Sequence, residues 1–306
     1  MLSPPNERPI SEATLLERTG QLEPRRHVDL EPGLRLAYAD RGQGRTVVLL
    51  HGLLTTLEDM MLALGPALDR RRVLAFDRPG LGQSRRRRGL DAGVARQAQH
   101  LWAALDKLQV RKPLIVGHSF GATVALAMAM RRPDDTAGVV ALAPIVSPEP
   151  RLEHAIFAPR GFAFSEFGLV QACRYVSDRL LLPLLWRAMY LPQPMPPAVE
   201  ETFPFALAGS DRATLFTGED SFAGIADLYG LLRDAPACRT PIEILTGDQD
   251  AVVDYRRHSA MAAEILPKAD LHVSPGLGHM LHHFAPERII IALEALERRS
   301  TATPPA

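Results

Sequence analysis

The chain has 306 residues, of which 46% are hydrophobic and 23% are charged, the ordinary balance of a globular protein. Its 35 basic residues equal its 35 acidic ones, which argues against nucleic-acid binding driven by phosphate neutralisation. No apolar run approaches the ~20 residues that span a bilayer, and the N-terminus lacks the apolar centre of a signal peptide. We expect a cytoplasmic protein without a membrane span, in which Cys173 and Cys238 are small buried side chains.

Predicted strands and helices alternate along most of the chain, after a flexible N-terminal tail over residues 1–20. The predicted strands are residues 26–30, 34–39, 46–50, 73–76, 113–116, 138–143, 242–245 and 270–273. The predicted helices are residues 57–68, 91–108, 120–131 and 286–298. Several strands are continuous apolar runs, which is typical of parallel strands covered on both faces. The pattern predicts an α/β protein with a mostly parallel, doubly wound sheet.

Residues 144–235 interrupt this alternation. Prolines cluster there at positions 183, 192, 194, 196 and 197, and phenylalanines recur at 157, 162, 164, 167, 203 and 205. We predict a helical cap inserted between strands. Residues 21–143 and 236–306 then form the core domain.

The sharpest local motif is Gly-His-Ser-Phe-Gly at residues 117–121, between a predicted strand and a predicted helix. Flanking glycines remove side chains that would clash in a tight strand-to-helix turn. Such a turn exposes the hydroxyl of Ser119 and places the N–H of Phe120 at a helix start, where it can stabilise an oxyanion. The motif alone is weak, because about one chain in ten of this length contains it by chance. An idle serine in a glycine-rich turn is the alternative.

Two further loops follow predicted strands. Residues 51–53, His-Gly-Leu, can aim the backbone N–H of Leu53 at the same oxyanion, and His51 itself is predicted to be structural. Residues 77–84 lack the third glycine and the following helix of a dinucleotide fingerprint. We therefore predict a loop near the site, with Asp77 as a structural hydrogen-bonding residue.

A nucleophilic serine needs a base, and the base needs an orienting acid, in the chain order serine, acid, histidine. Asp248 and Asp250 compete for the acid after the seventh predicted strand. Asp250 is preferred because it lies further past the strand end, and Asp248 is predicted to be a turn residue. His279, in a glycine-flanked loop after the eighth strand, is the candidate base. Its rivals His282 and His283 are expected at the surface or at the base of that loop.

Together these motifs resemble the α/β-hydrolase fold superfamily over residues 35–298, with the insertion in the family's cap position. The resemblance implies that Ser119 is the nucleophile, Asp250 the acid and His279 the base. It also implies an oxyanion hole formed by the backbones of Leu53 and Phe120. A serine rather than an aspartate in this strand-to-helix turn, the nucleophile elbow of the family, argues against the epoxide-hydrolase and haloalkane-dehalogenase branches. The chemistry needs no cofactor and no metal.

The leading prediction is a serine hydrolase that cleaves an ester-type bond of a small, mainly apolar substrate. The phenylalanines of the cap, with Trp186 and Met189, favour an apolar pocket. One alternative is C–C bond hydrolysis of a diketone-like substrate by the same triad, and another is a non-catalytic ligand-binding protein that keeps the pocket. The arginine runs at residues 70–72 and 85–88 are predicted to be solvated or ion-paired surface, with an anionic partner as the alternative. The sequence leaves the oligomeric state open.

Overall fold

The computed structural model describes residues 12–149, 151–161, 172–173 and 177–302. The strands are β1 Arg26–Glu31, β2 Leu34–Arg41, β3 Thr46–Leu50, β4 Arg72–Phe76, β5 Leu114–His118, β6 Gly138–Leu142, β7 Ile242–Gly247 and β8 Ala269–Ser274. They form one eight-stranded sheet in the order β1-β2-β4-β3-β5-β6-β7-β8. The pairs β1–β2 and β2–β4 are antiparallel, and the other pairs are parallel. The predicted fold class is therefore confirmed.

Helices connect these strands and cover both faces of the sheet. They are α1 Glu12–Leu15, α2 Leu57–Leu64, α3 Val94–Lys107, α4 Phe120–Arg131, α5 Leu152–Gly161, α6 Arg179–Tyr190, α7 Pro197–Thr202, α8 Phe205–Ala208, α9 Asp211–Asp234, α10 Met261–Ile265 and α11 Pro286–Ala302. Shorter helical turns are Gly65–Leu68, Ala235–Ala237, Arg256–Ala260 and Leu281–His283. Among the described helices, none combines the length and the apolar character that a membrane crossing requires.

The core consists of two apolar clusters on opposite faces of the sheet. Successive strand side chains point to opposite faces, so Val48 packs with α3 and α4 whereas Leu49 packs with α2 and α11. This double coverage explains why the strands are continuous apolar runs. Cys238 is buried as predicted, but Cys173 is only partly buried.

Several helix boundaries differ from the prediction for local reasons. The helix predicted over residues 57–68 ends at Leu64, and a tighter helical turn that contains Pro66 continues to Leu68. The helix predicted from Asp91 begins at Val94, because Gly93 has a φ of +88°, outside the helical region. The helical segment from Arg256 to Ile265 had no recognised sequence signal.

The predicted cap, residues 144–235, carries helices and no strand in its described part. Helices α5 to α9 lie there, and an apolar cluster that includes Phe157, Trp186 and Phe205 holds the cap together. Phe162, Phe164 and Phe167 lie outside the described residues. The division into domains stays a prediction.

The N-terminal segment differs from the predicted loose tail wherever the structure describes it. Leu15 is completely buried in the apolar cluster of the cap. Two backbone hydrogen bonds, Ala206 N–H to Arg18 O and Gln21 N–H to Thr202 O, both 2.8 Å, join the segment to the cap. An apolar helical turn that finds a hydrophobic partner is stabilised by burial, whatever its weak local signal. Residues 1–11 lie outside the described part.

Arg86, Arg87 and Arg88 of the arginine run pair with acidic groups, as the prediction of an ion-paired surface expects, but Arg86 is buried rather than at the surface. Arg86 contacts Asp220 at 2.9 Å and Glu219 at 3.3 Å. Arg88 also contacts Glu219, at 2.9 Å. Both acidic residues belong to α9, so this run joins α9 to the chain segment after β4.

Candidate active site

Ser119 sits on a strained turn between β5 and α4. Its φ of 54° and ψ of −122° are unfavourable for a residue with a side chain, and the surrounding glycines permit the turn. A Cβ at Gly121 would lie 2.4 Å from the carbonyl oxygen of His51, and one at Gly117 would lie 2.3 Å from that of Gly121. The tight approach of β3, β5 and α4 therefore requires both glycines. The turn places Ser119 at the carboxyl edge of the parallel strands.

The structure brings His279 and Asp250 together from the loops after β8 and β7. His279 Nδ1 lies 2.8 Å from Asp250 Oδ2, and both side chains are almost entirely buried. Asp250 Oδ1 accepts the N–H groups of Val252 and Val253, each at 2.8 Å. Burial acts to raise the pKa of Asp250, but His279 and the two N–H groups outweigh it and lower that pKa below its usual value. An ionised acid at this position requires a proton on Nδ1, which leaves Nε2 as the basic nitrogen.

Ser119 and His279 line one cavity of about 470 Å³. Among the hydrogen bonds of the described residues, none joins Ser119 Oγ to the His279 ring. Such contacts commonly tighten only when substrate binds. The other lining residues are Gly52, Leu53, Leu54, His118, Glu149, Arg151, Leu152, Ile156, Phe157, Leu185, Ala188, Met189, Leu191, Asp250, Ala251, Val252 and Asp254.

Of the two candidate oxyanion donors, Leu53 lines this cavity and Phe120 directly follows Ser119 in the chain. Phe120 is the first residue of α4, and the first N–H groups of a helix have no acceptor within the helix. Leu53 lines the cavity in the loop after β3, followed by Leu54 with a φ of +55°. The positive end of the α4 dipole adds to the attraction for an anion.

The residues predicted to be structural make structural contacts. His51 is fully buried, and its Nε2 accepts the backbone N–H of Arg78 at 3.0 Å. Asp77, also fully buried, accepts from Arg25 Nε at 2.7 Å. Asp248 accepts a backbone N–H of the loop after β8 at 2.7 Å.

His282 and His283 lie at the base of the His279 loop, one of the two predicted locations, rather than at the surface. Their Nε2 atoms lie 3.2 and 2.8 Å from the two carboxylate oxygens of Asp59 in α2. His118 packs between the rings of His279 and His282, with centroid distances of 4.7 and 4.3 Å. Sequence reasoning missed Asp59, because no spacing rule connects a residue of α2 with a loop more than 200 positions later.

The same three groups, Asp59, His282 and His283, are close enough to hold a metal ion. A metal on His282 Nε2 would place the proton on Nδ1, which needs an acceptor. Within the described part of the chain, His282 Nδ1 is buried without a hydrogen-bond partner. Burial also lowers the pKa of His282, so the neutral ring can donate its Nε2–H to Asp59. Asp–His hydrogen bonding therefore accounts for this cluster better than a metal ion.

A mostly parallel sheet with a strained serine elbow and an acid–histidine pair at the same edge defines the α/β-hydrolase architecture. A family model described as alpha/beta hydrolase fold matches residues 45–286, and the chain belongs to that family. The resemblance inferred from the motifs is thereby confirmed.

Three comparisons place the chain among known proteins. It is 32% identical over 114 residues to the dihydrolipoyllysine-residue acetyltransferase component of an acetoin cleaving system from Cupriavidus necator, covering 37% of this chain and 30% of that protein. It is 26% identical over 253 residues to a 2-hydroxymuconate semialdehyde hydrolase from Pseudomonas putida, covering 82% of this chain and 86% of that enzyme. An esterase structure from Thermogutta terrifontis superposes with a TM-score of 0.65 at 22% identity, covering 90% of this chain and 99% of that one. The family and its hydrolase-named relatives support a hydrolase.

Proposed function

We propose that this protein is a serine hydrolase that cleaves an ester-type bond of a small, mainly apolar substrate. The observation that carries the proposal is the opening of Ser119 and the Asp250–His279 pair into one cavity. A nucleophile, a base and an orienting acid are the three groups that acyl transfer to water requires.

The reaction follows from this placement. His279 Nε2 takes the proton of Ser119 Oγ as the oxygen attacks the ester carbonyl, and the N–H groups of Leu53 and Phe120 stabilise the oxyanion. The intermediate collapses, and His279 delivers that proton to the departing alcohol. Water then attacks the acyl-serine with the same proton transfers, which releases the acid and restores Ser119. The carboxylate of Asp250 stabilises the imidazolium cation in both halves.

The walls of the cavity support an apolar substrate. Phe157 and Met189, two residues that the sequence singled out, are among its lining side chains. Trp186 packs instead inside the cap against Phe205 and donates its Nε1–H to Leu54 O at 2.9 Å. Most of the remaining wall is aliphatic, so an acyl or ring substrate would gain about 25 cal/mol per Å² of apolar surface buried.

Labelling with a fluorophosphonate tests the proposal directly. We expect the folded protein to label at Ser119 and to hydrolyse short aryl esters, with a preference set by acyl length. Ser119→Ala should lose labelling and lower kcat by about 10⁶-fold. Ser300→Ala, which removes a hydroxyl hydrogen-bonded to Arg45, is the matched control and should label like wild type. Full activity of Ser119→Ala would disprove the nucleophile assignment. Absence of both labelling and turnover in wild type would leave the ligand-binding alternative.

C–C bond hydrolysis of a diketone-like substrate is the second candidate. A relative that matches 82% of the chain is named a 2-hydroxymuconate semialdehyde hydrolase, and a cation, Arg151, lines the cavity. A guanidinium suits a substrate carboxylate. Product analysis with a dienoate that carries a ketone and no ester separates the candidates. Only C–C cleavage can split this compound, into a carboxylic acid and a second carbon fragment. Turnover of esters without any such cleavage would eliminate this candidate.

A further inference from the structure

Arg78 lies completely buried behind the oxyanion loop, residues 51–53. Its Nε donates to His51 O at 2.7 Å and its Nη2 donates to Gly52 O at 3.0 Å. Its guanidinium also lies 4.8 Å from the ring centroid of Phe120. One side chain therefore contacts the segments that carry both candidate oxyanion donors.

The contact with Gly52 bears directly on the donor, because Gly52 O and the N–H of Leu53 belong to the same peptide group. In a trans peptide the C=O and N–H point in opposite directions. A donor that holds the carbonyl oxygen on the protein side thus aims the N–H away from itself. A cationic donor on the oxygen also polarises the peptide and strengthens its N–H as a hydrogen-bond donor.

His51 provides a second donor to the same oxygen. Its Nε2 accepts the backbone N–H of Arg78, so the ring proton is on Nδ1, which lies 2.9 Å from Gly52 O. Burial and the charge of Arg78 hold the pKa of His51 well below its usual value, which keeps the ring neutral. Thr55 Oγ1 donates to the same oxygen at 3.3 Å, so three donors fix the plane of the Gly52–Leu53 peptide.

The other side of the guanidinium faces the cap. Arg78 Nη1 donates to Gln97 Oε1 at 2.8 Å, and Gln97 Nε2 donates to Asp220 Oδ2 at 2.7 Å. Asp220 belongs to α9 and lies 3.6 Å from Arg78 Nη1. Burial lowers the pKa of Arg78 to about 10, opposed by Asp220, so the group stays cationic near neutral pH. A continuous chain of polar contacts runs from the cap to the oxyanion loop.

We propose that Arg78 is a positioning residue for the oxyanion hole: it orients the Gly52–Leu53 peptide and couples that orientation to the cap through Gln97 and Asp220. The proposal rests on the serine-hydrolase function proposed above. Arg78 does not touch the substrate, and its effect on the rate acts through the N–H of Leu53.

Arg78→Met, with Arg86→Met as the matched control, tests this role. Both arginines are buried, lie near Asp220 and pack over a phenylalanine ring. Arg86, however, donates to Phe216 O rather than to the oxyanion loop. Removing one oxyanion donor costs about 10²–10³ in kcat, so we expect misaligning it to cost about 10- to 100-fold with KM within about threefold. Arg86→Met should keep kcat within about threefold.

A substrate in which sulfur replaces the carbonyl oxygen of the ester adds a readout that a purely structural role would not change. Sulfur accepts hydrogen bonds weakly, so an aligned oxyanion hole favours an ester over its thiono analogue. This preference should fall about tenfold in Arg78→Met and persist in Arg86→Met. If Arg78→Met does not fold, Arg78→Lys replaces it, because one ammonium cannot reproduce the fork that holds both carbonyls.

A folded Arg78 variant with near-wild-type kcat, or with an unchanged thiono preference, overturns the proposal. So does an equal loss of kcat in Arg86→Met. Failure of the proposed function is seen separately, as absence of turnover and Ser119 labelling in wild type. A crystal structure of the Arg78 variant then still decides: we expect a rotated Gly52–Leu53 peptide, and an unmoved peptide refutes the positioning role.

Discussion

Asp250→Asn is expected to abolish most of the activity through the tautomer of His279. Asp250 Oδ1 accepts two backbone N–H groups at 2.8 Å, so an asparagine must keep its carbonyl oxygen there. Its NH₂ group would then face His279 Nδ1, which lies 2.8 Å from the present Oδ2. To accept that N–H, the imidazole must carry its proton on Nε2, where the base is needed.

The expected magnitude is a fall of about 10⁴-fold in kcat, the size found when a triad acid is replaced by its amide. Steady-state hydrolysis of an aryl ester measures it, with thermal unfolding as the check that the variant folds. Asp248→Asn is the matched control: the same change two residues earlier affects only a backbone hydrogen bond and should keep kcat within about threefold. Activity of Asp250→Asn within tenfold of wild type would refute this reasoning.

Two stability predictions follow from close approach and from charge pairing. Gly121→Ala would place a Cβ 2.4 Å from backbone oxygens, so we expect a loss of about 3 kcal/mol or more in urea unfolding. Gly230→Ala meets nothing within 4 Å in α9 and should instead be neutral or stabilising; equal losses would contradict the steric argument. Burial acts to raise the pKa of Asp91, but hydrogen bonds from Arg87 outweigh it and lower that pKa to about 2. The unfolded value is ~3.9. The pair therefore stabilises the folded state above about pH 4, and this stabilisation is lost as the pH falls through 2. Asp91→Asn should cost about 1–2 kcal/mol at pH 7, allowing for screening at the exposed Arg87, and only a small part of that at pH 2; a loss independent of pH would count against the pairing.

Local patterns were sufficient for the core elements. Strand β3 and helix α4 coincide with their predicted ranges, because short apolar runs bounded by turn residues mark elements that are buried on all sides. The boundary of α3 was missed by three residues, since Gly93 has a φ of +88° and donates its N–H to Asp220 of α9 at 3.3 Å. Element boundaries depend on neighbours that periodicity does not contain.

The candidate site divides in the same way. Ser119, Asp250 and His279 each follow a strand in the expected chain order, so topology alone predicted that they share one edge of the sheet. The choice between Asp250 and Asp248 rested on loop position, and the structure pairs Asp250 with His279 at 2.8 Å.

The amino-acid sequence by itself determined the order of strands and helices, the glycine-flanked serine turn and the family to which the chain belongs. Only the tertiary structure decided how the arginine run pairs, which acid meets His282, and what lies behind the oxyanion loop. Arg78 and Asp220 are 142 positions apart and meet at 3.6 Å because α9 packs across the core. Periodicity and turn chemistry are local, whereas buried charge pairs form between segments that folding alone brings together.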